Sequence, residues 1–237
     1  MTSKILFCIC LLSSFTAFAQ KGLEFGLRFM PQGTGIINQT DFDEGDELNF
    51  QTTINFAYGV HAGYNFSDNV GLQTGLLLSQ EGQKYVDDLP QPGDNTSELS
   101  LSYLQIPLLL KLNSNPHKGA QFVAHLGVQF GILNSVKYYE NDVNISDTYA
   151  GFLGVDAKEV YKSADLSGVL GLGARYRLTD NLQIGSHLYL TYSVADIEDK
   201  DFTIFGIPFW GYDRASSHNA TAGILIELNY SLGGSDD

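Results

Sequence analysis

The chain has 237 residues and carries 27 Asp and Glu against 13 Lys and Arg, a net charge of −14. So acidic a protein repels phosphate backbones, which excludes nucleic acid as a partner. Its two cysteines, Cys8 and Cys10, both fall within the first twenty residues, so the rest of the chain has neither a disulfide framework nor a thiolate metal site.

The N-terminus reads MTSKILFCICLLSSFTAFAQ. Lys4 precedes an apolar run over 5–12, and Ala17 and Ala19 frame an A-x-A site, the layout of a secretory signal peptide cleaved after Ala19. Residues 1–19 are read as the removed peptide and 20–237 as one domain. No later stretch reaches the roughly 18 consecutive apolar residues of a transmembrane helix. The strongest stretch, 104–112, is half that length and is broken by Pro107. An exported chain of this kind enters a membrane only as a closed barrel, because lipid offers no other partner to strand amides.

Eight segments alternate apolar and polar residues in chain order: 23–29, 54–66, 70–78, 104–112, 122–132, 170–178, 182–192 and 220–232. The seventh is typical. Leu182, Ile184, Leu188, Leu190 and Tyr192 lie on one side, and Gln183, Gly185, His187, Tyr189 and Thr191 on the other. Several segments run to 11 residues or more, matching the ~9–11 residues that cross a bilayer at a tilt. The polar parity is rich in glycine, which weakens a strand unless something crowds it. Packing inside a narrow closed barrel supplies that crowding.

The connections alternate strictly between short and long. Ser67-Asp68-Asn69 and Thr179-Asp180-Asn181 join segments two to three and six to seven, and NSNPHKG joins four to five. The long connections are expected near 31–53, 81–99, 134–165 and 195–217. They carry 21 acids against 6 bases, a net −15, while the remaining mature residues balance. The expected fold is therefore all-β, an eight-stranded antiparallel up-and-down transmembrane barrel with short periplasmic turns and long extracellular loops. A soluble lipocalin-like barrel with its apolar parity turned toward a ligand cavity is the competing arrangement.

The stretch Tyr103-Leu104-Gln105-Ile106-Pro107-Leu108-Leu109-Leu110-Lys111 resembles the Y-L-x-I-P-L-L-L-K strand of the PorT-like outer-membrane β-barrel domain family common in Bacteroidota. The Asp-Asn turn before the Gly/Gln strand at 68–75 and the Gly-rich strand at 168–176 support the resemblance, which covers the mature chain. It implies an eight-stranded outer-membrane barrel, with one branch of the family linked to protein secretion. Many outer-membrane barrels end on an aromatic residue, whereas here Leu232 is followed by GGSDD. Pro107 cannot donate to a ladder and is expected at a local bulge.

Candidate site residues fall into three groups. Glu24, Arg28, Lys111, Arg175, Arg177 and Glu227 lie on the polar parity near the turn ends and are expected to form an ion-paired plug, with independent charges at a wet mouth as the alternative. Asp41, Asp43, Glu44, Asp46 and Glu47 form an acidic loop whose carboxylates suit calcium, although the twelve-residue calcium-loop pattern is incomplete. Phe202, Phe205, Phe209, Trp210 and Tyr212 form an aromatic patch expected to fold over the barrel mouth, embed at the lipid interface or dock a partner. His61, His125 and His187 share the lumen parity and are read as hydrogen-bonded interior residues. The pattern holds no nucleophile–histidine–acid set, so an enzyme is not expected, and no cofactor either. The functional expectation is a non-catalytic structural or binding protein of the envelope, or an accessory linked to secretion, monomeric, in contact with outer-membrane lipid and an envelope or secretion-complex protein. A narrow passive channel is the alternative, because eight strands leave an interior filled by side chains.

Overall fold

The computed structural model describes residues 22–43, 49–87, 95–114, 120–211 and 213–232. The expected signal peptide, most of the NSNPHKG turn and the GGSDD tail lie outside the described residues. Eight long strands follow one another: β1 (Leu23–Asn38), β2 (Thr53–Asn65), β3 (Val70–Asp87), β4 (Asn95–Asn113), β5 (Ala120–Glu140), β6 (Ala164–Arg177), β7 (Leu182–Ser193) and β8 (Ser217–Leu232). Each pairs antiparallel with the next, and β1 also pairs with β8, so the sheet closes on itself. A closed ring has no edge strand with unpaired amides.

Turn chemistry fixes one end. In the 66–70 turn Phe66 and Ser67 donate to the Val70 carbonyl, and Ser67 Oγ accepts from Val70 N at 3.2 Å. Leu178, Thr179 and Leu182 repeat this arrangement in the second Asp-Asn turn, where Thr179 Oγ1 accepts from Leu182 N at 3.1 Å. Equivalent residues make equivalent bonds, which is why the two tripeptides look alike.

Exposure then settles which face is outside. Leu27, Phe56, Leu76, Leu108, Leu126, Leu172, Leu188 and Leu228 all stand exposed on the outer wall, while the alternate positions are buried. Glu24, Arg28, Lys111, His125, His187 and Glu227 are buried in the lumen. The lipocalin-like arrangement is thus overturned: the apolar parity of these segments faces out.

The long connections are shorter than expected. β1 runs on to Asn38, β3 to Asp87, β4 begins at Asn95, and β5 runs to Glu140. Their continuations were illegible because the pattern inverts above the lipid-facing belt. On β4 the outward positions Leu104, Ile106, Leu108 and Leu110 give way to Glu98, Ser100 and Ser102, while the inward positions become Leu99, Leu101 and Tyr103. Water, not lipid, meets the outer wall there, so the ordinary inside-out rule of soluble sheets returns.

Pro107 does not mark a bulge. It sits in unbroken register opposite Gln129, and on its other side the β3–β4 ladder lapses between the Thr74–Leu108 and Leu77–Gln105 pairs and resumes without slipping. A missing N–H removes a bond without adding a residue. Pro31 produces the same lapse between β1 and β8, from Phe29–Ile226 to Gln32–Gly223. The register shift is instead on β5, where Asn134 is extra between Leu133, opposite Tyr103, and Ser135, opposite Ser102.

Candidate functional site

Four layers fill the lumen, stacked from the turn end to the loop end. Register explains the first. Arg175, Gly185, Glu227, Arg28 and Gly59 stand side by side on β6, β7, β8, β1 and β2, and Gly71, Lys111, His125 and Gly171 on β3 to β6. Glycines beside long charged residues give those side chains room. A Cβ at Gly63 would stand 2.8 Å from Glu24 Oε1, and one at Gly185 2.7 Å from His187 Nε2.

Within this layer Glu24 binds Lys111 and, at 3.1 Å, Arg175. Glu227 binds Arg28 at 2.7 Å and Arg175 at 3.5 Å, so Arg175 bridges the two carboxylates. Gln73 accepts from Arg28 Nη2 at 2.6 Å, and His187 Nε2 lies 3.1 Å from Glu227 Oε2. The structure thus brings together five of the six charged residues singled out in the sequence. Arg177 is half-buried and makes no ion pair among the described residues. His61 reaches Asn229 Oδ1 at 2.6 Å, and the His125 and His187 rings lie 5.0 Å apart. Among the described residues no group of three metal-ligating side chains forms.

Above lies an apolar layer of Met30, Ala57, Leu77, Leu109, Val169, Tyr189 and Leu225. A polar layer follows, in which Gln105 donates to Glu81 at 2.5 Å and Ser167 to Asp165 at 3.2 Å. Leu99, Leu101, Tyr103, Leu133 and Val136 then make a second core under the mouth. Burying each large side chain there contributes about 1.5–3 kcal/mol.

The loops close over this core. A helix, α1 (Gln39–Asp43), ends β1, and α2 (Ser146–Leu153) with the 3₁₀ turn Ala157–Val160 lies between β5 and β6. Trp210 donates to the Val160 carbonyl at 3.0 Å, and its ring packs edge-on against Tyr161 and Phe209, with Phe202 against Phe209. These aromatics cap the mouth. Phe205 is fully exposed, at the end of the small hairpin Thr203–Ile204 and Ile207–Pro208; Tyr212 lies outside the described residues.

Arg214 pins the cap, contacting Asp41 at 2.6 and 3.1 Å and Glu198 at 2.9 and 3.0 Å. Its guanidinium also lies over the Trp210 ring, 5.4 Å from the centroid. Burial disfavours the charge on Arg214, but the hydrogen bonds to Glu198 and Asp41 outweigh it and hold the guanidinium above its ordinary pKa. In the acidic loop, therefore, Asp41 is committed to an arginine. Asp43 is exposed, and Glu44, Asp46 and Glu47 lie outside the described residues.

Removing Arg214 leaves the buried Asp41 without an ion-pair partner among the described residues and Glu198 with Lys200 alone. Arg214→Ala is expected to lower stability by about 2 kcal/mol, with hydrogen bonds to charged groups as the scale. Denaturant unfolding and faster proteolysis within 195–217 are the readouts. Arg214→Lys should recover little, because an ammonium cannot serve both carboxylates as a fork does.

Between the cap and the β3–β5 wall lies a cleft of about 700 Å³, lined by Tyr85, Tyr138, Tyr161, Phe209, Trp210 and Arg214 among others. Tyr85, Ser97 and Glu140 share one inward rung there, and Gln83, Leu99 and Tyr138 the rung beneath. Neither this cleft nor the Glu81–Asp165 layer was visible in the sequence. Both sit on strand extensions that apolar parity assigned to loops, and carrying the inward parity of β3 past Leu77 to Ser79, Glu81 and Gln83 is the signal that finds them.

A family model described as an outer membrane protein beta-barrel domain matches residues 18–199. The chain belongs to this family. It is an outer-membrane β-barrel protein. Solved structures similar to this barrel include OprG from Pseudomonas aeruginosa, at 13% identity over 91% of this chain and 98% of that one, TM-score 0.43. Neisserial surface protein A gives 8% identity over 88% and 97%, TM-score 0.43. E. coli outer membrane protein W gives 11% over 90% and 98%, TM-score 0.42. No curated protein matches the chain.

Proposed function

We propose that this barrel is a non-conducting, non-catalytic binding protein whose loop end faces the cell exterior. The reading rests on one observation above all: the lumen is filled by an ion-paired layer, an apolar layer and a capped core. An open cleft of about 700 Å³ lies at the mouth, in a range typical of small-molecule sites. Export by the 1–19 signal peptide, a monomeric state and a role as an accessory of an envelope or secretion complex belong to the same proposal. The YLQIPLLLK strand supports a place within the PorT-like branch of Bacteroidota barrels.

Planar-bilayer recording tests it. The purified barrel should be electrically silent at neutral pH and moderate salt. Discrete conductance steps in the unaltered protein would favour the narrow-channel reading instead.

A further inference from the structure

The two polar layers of the lumen are opposite in character. The lower one holds three basic side chains, Arg28, Lys111 and Arg175, against Glu24 and Glu227. Its orphaned groups include the nitrogens Arg28 Nη1, Arg175 Nε and Asn229 Nδ2. The upper layer holds two buried carboxylates, Glu81 and Asp165, and among the described residues neither pairs with Lys, Arg or His. What they receive is neutral: Gln105 and Ser79 donate to Glu81, Ser167 and Ser193 to Asp165.

The two acids belong to one cluster. Gln105, Gly131 and Asp165 share a rung across β4, β5 and β6, and Gly131 has no side chain to separate its neighbours. A Cβ there would meet the Tyr103 ring at 3.3 Å and Asp165 Cβ at 3.6 Å.

A second observation points the same way. Three amides around the pair have buried oxygens without a partner: Gln32 Oε1, Gln129 Oε1 and Asn219 Oδ1. Gln32 uses its nitrogen on Ser79 Oγ and Gln80 O, and Asn219 uses its nitrogen on the Tyr103 hydroxyl. Gln129 stands in register beside Ser167, which donates to Asp165. The layer therefore sets two buried carboxyl groups without a basic partner beside orphaned acceptors, a set of oxygens that a hard cation satisfies. Isolated carboxylates are otherwise costly to bury.

We propose that the upper lumen holds a divalent hard cation between Glu81 and Asp165, with calcium the best match. Calcium takes six to eight oxygens in adaptable geometry and accepts carboxylates and amide carbonyls together; magnesium requires a tighter octahedron and keeps its waters.

The test uses the full barrel in detergent, stripped with chelator and then titrated with calcium chloride. Three readouts apply: melting temperature, heat of binding, and bound calcium by elemental analysis after dialysis. The proposal expects about one calcium per chain and a melting temperature several degrees higher than in chelator. It expects Glu81→Gln/Asp165→Asn to lose both effects, and Asp43→Asn, at the exposed end of α1, to keep them. No bound calcium in the unaltered protein overturns the proposal, as does a shift retained by the double variant. So does loss of binding in Asp43→Asn, which would place the ion in the loop. Should the double variant fail to fold, the single Asp165→Asn variant and the stoichiometry of the unaltered protein decide the question in the same way.

Discussion

Glu227→Ala is expected to destabilise the barrel by about 3–5 kcal/mol, the scale for breaking a buried ion pair from one side. Glu227 is fully buried and meets Arg28 at 2.7 Å, Arg175 at 3.5 Å and His187 at 3.1 Å. Truncation removes the carboxylate but leaves both guanidiniums in place, where Glu24 alone faces Arg175 and Lys111. The loss should appear as a lower urea midpoint in lipid vesicles and as earlier loss of the fast-migrating folded band on heating. Glu227→Gln should lose less, since the amide still accepts from Arg28. In a double-mutant cycle, pairing Glu227→Gln with Arg28→Gln should cost less than the sum of the single changes, because the second removes the charge left behind by the first. Additive losses would mean that the two side chains contribute independently, and that the ion-paired layer is not a unit.

Leu108→Arg is expected to cost about 2–4 kcal/mol, the range for a basic residue on the lipid face near the bilayer midplane. Leu108 stands at the centre of the β4 belt and is 56% exposed on the outer wall. Its neighbour Leu109 is completely buried in the apolar lumen layer. The informative comparison is with Ser100→Arg, on the same outward parity of the same strand but beyond the belt. That change should be nearly neutral, because its side chain enters water. Equilibrium unfolding in vesicles measures both. Equal costs at 100 and 108 would show that the outer wall has one solvent along its length, contrary to the inversion described on β4.

How far the fold was legible depended on the solvent each face meets. Strand number, order and closure followed from parity wherever lipid forces an apolar outer wall, as at 104–112 and 182–192. Parity failed above that belt, where Leu99, Leu101 and Tyr103 look like the start of a different pattern because their side of the strand faces a protein core. Pro107 misled for a different reason: a missing donor can be tolerated as a lapse in the ladder without inserting a residue. The charged layer was legible because Arg28 and Glu227 are conspicuous among apolar and small neighbours, and strand closure makes them partners. Arg177 has the same parity as Arg175, yet it lies one step closer to the turn, where the wall gives way to water. Glu81, Asp165 and Arg214 were hidden because their stretches read as acidic loop, and only pairing across 173 residues brings Arg214 to Asp41.

The switch of greasy side along β4 also works as a waterline. Residues 104–112 of this strand set an outer band of the height an outer membrane provides, roughly 25 Å. Just above it the wall carries serines and a glutamate. Sinking further into lipid would submerge Ser102, Ser100 and Glu98, while rising would lift Ile106 and Leu108 into solvent. The barrel therefore floats at one depth, and a thicker bilayer must thin around it instead of drawing it in. The aromatic lid and its cleft are held at a constant height above the headgroups as a result.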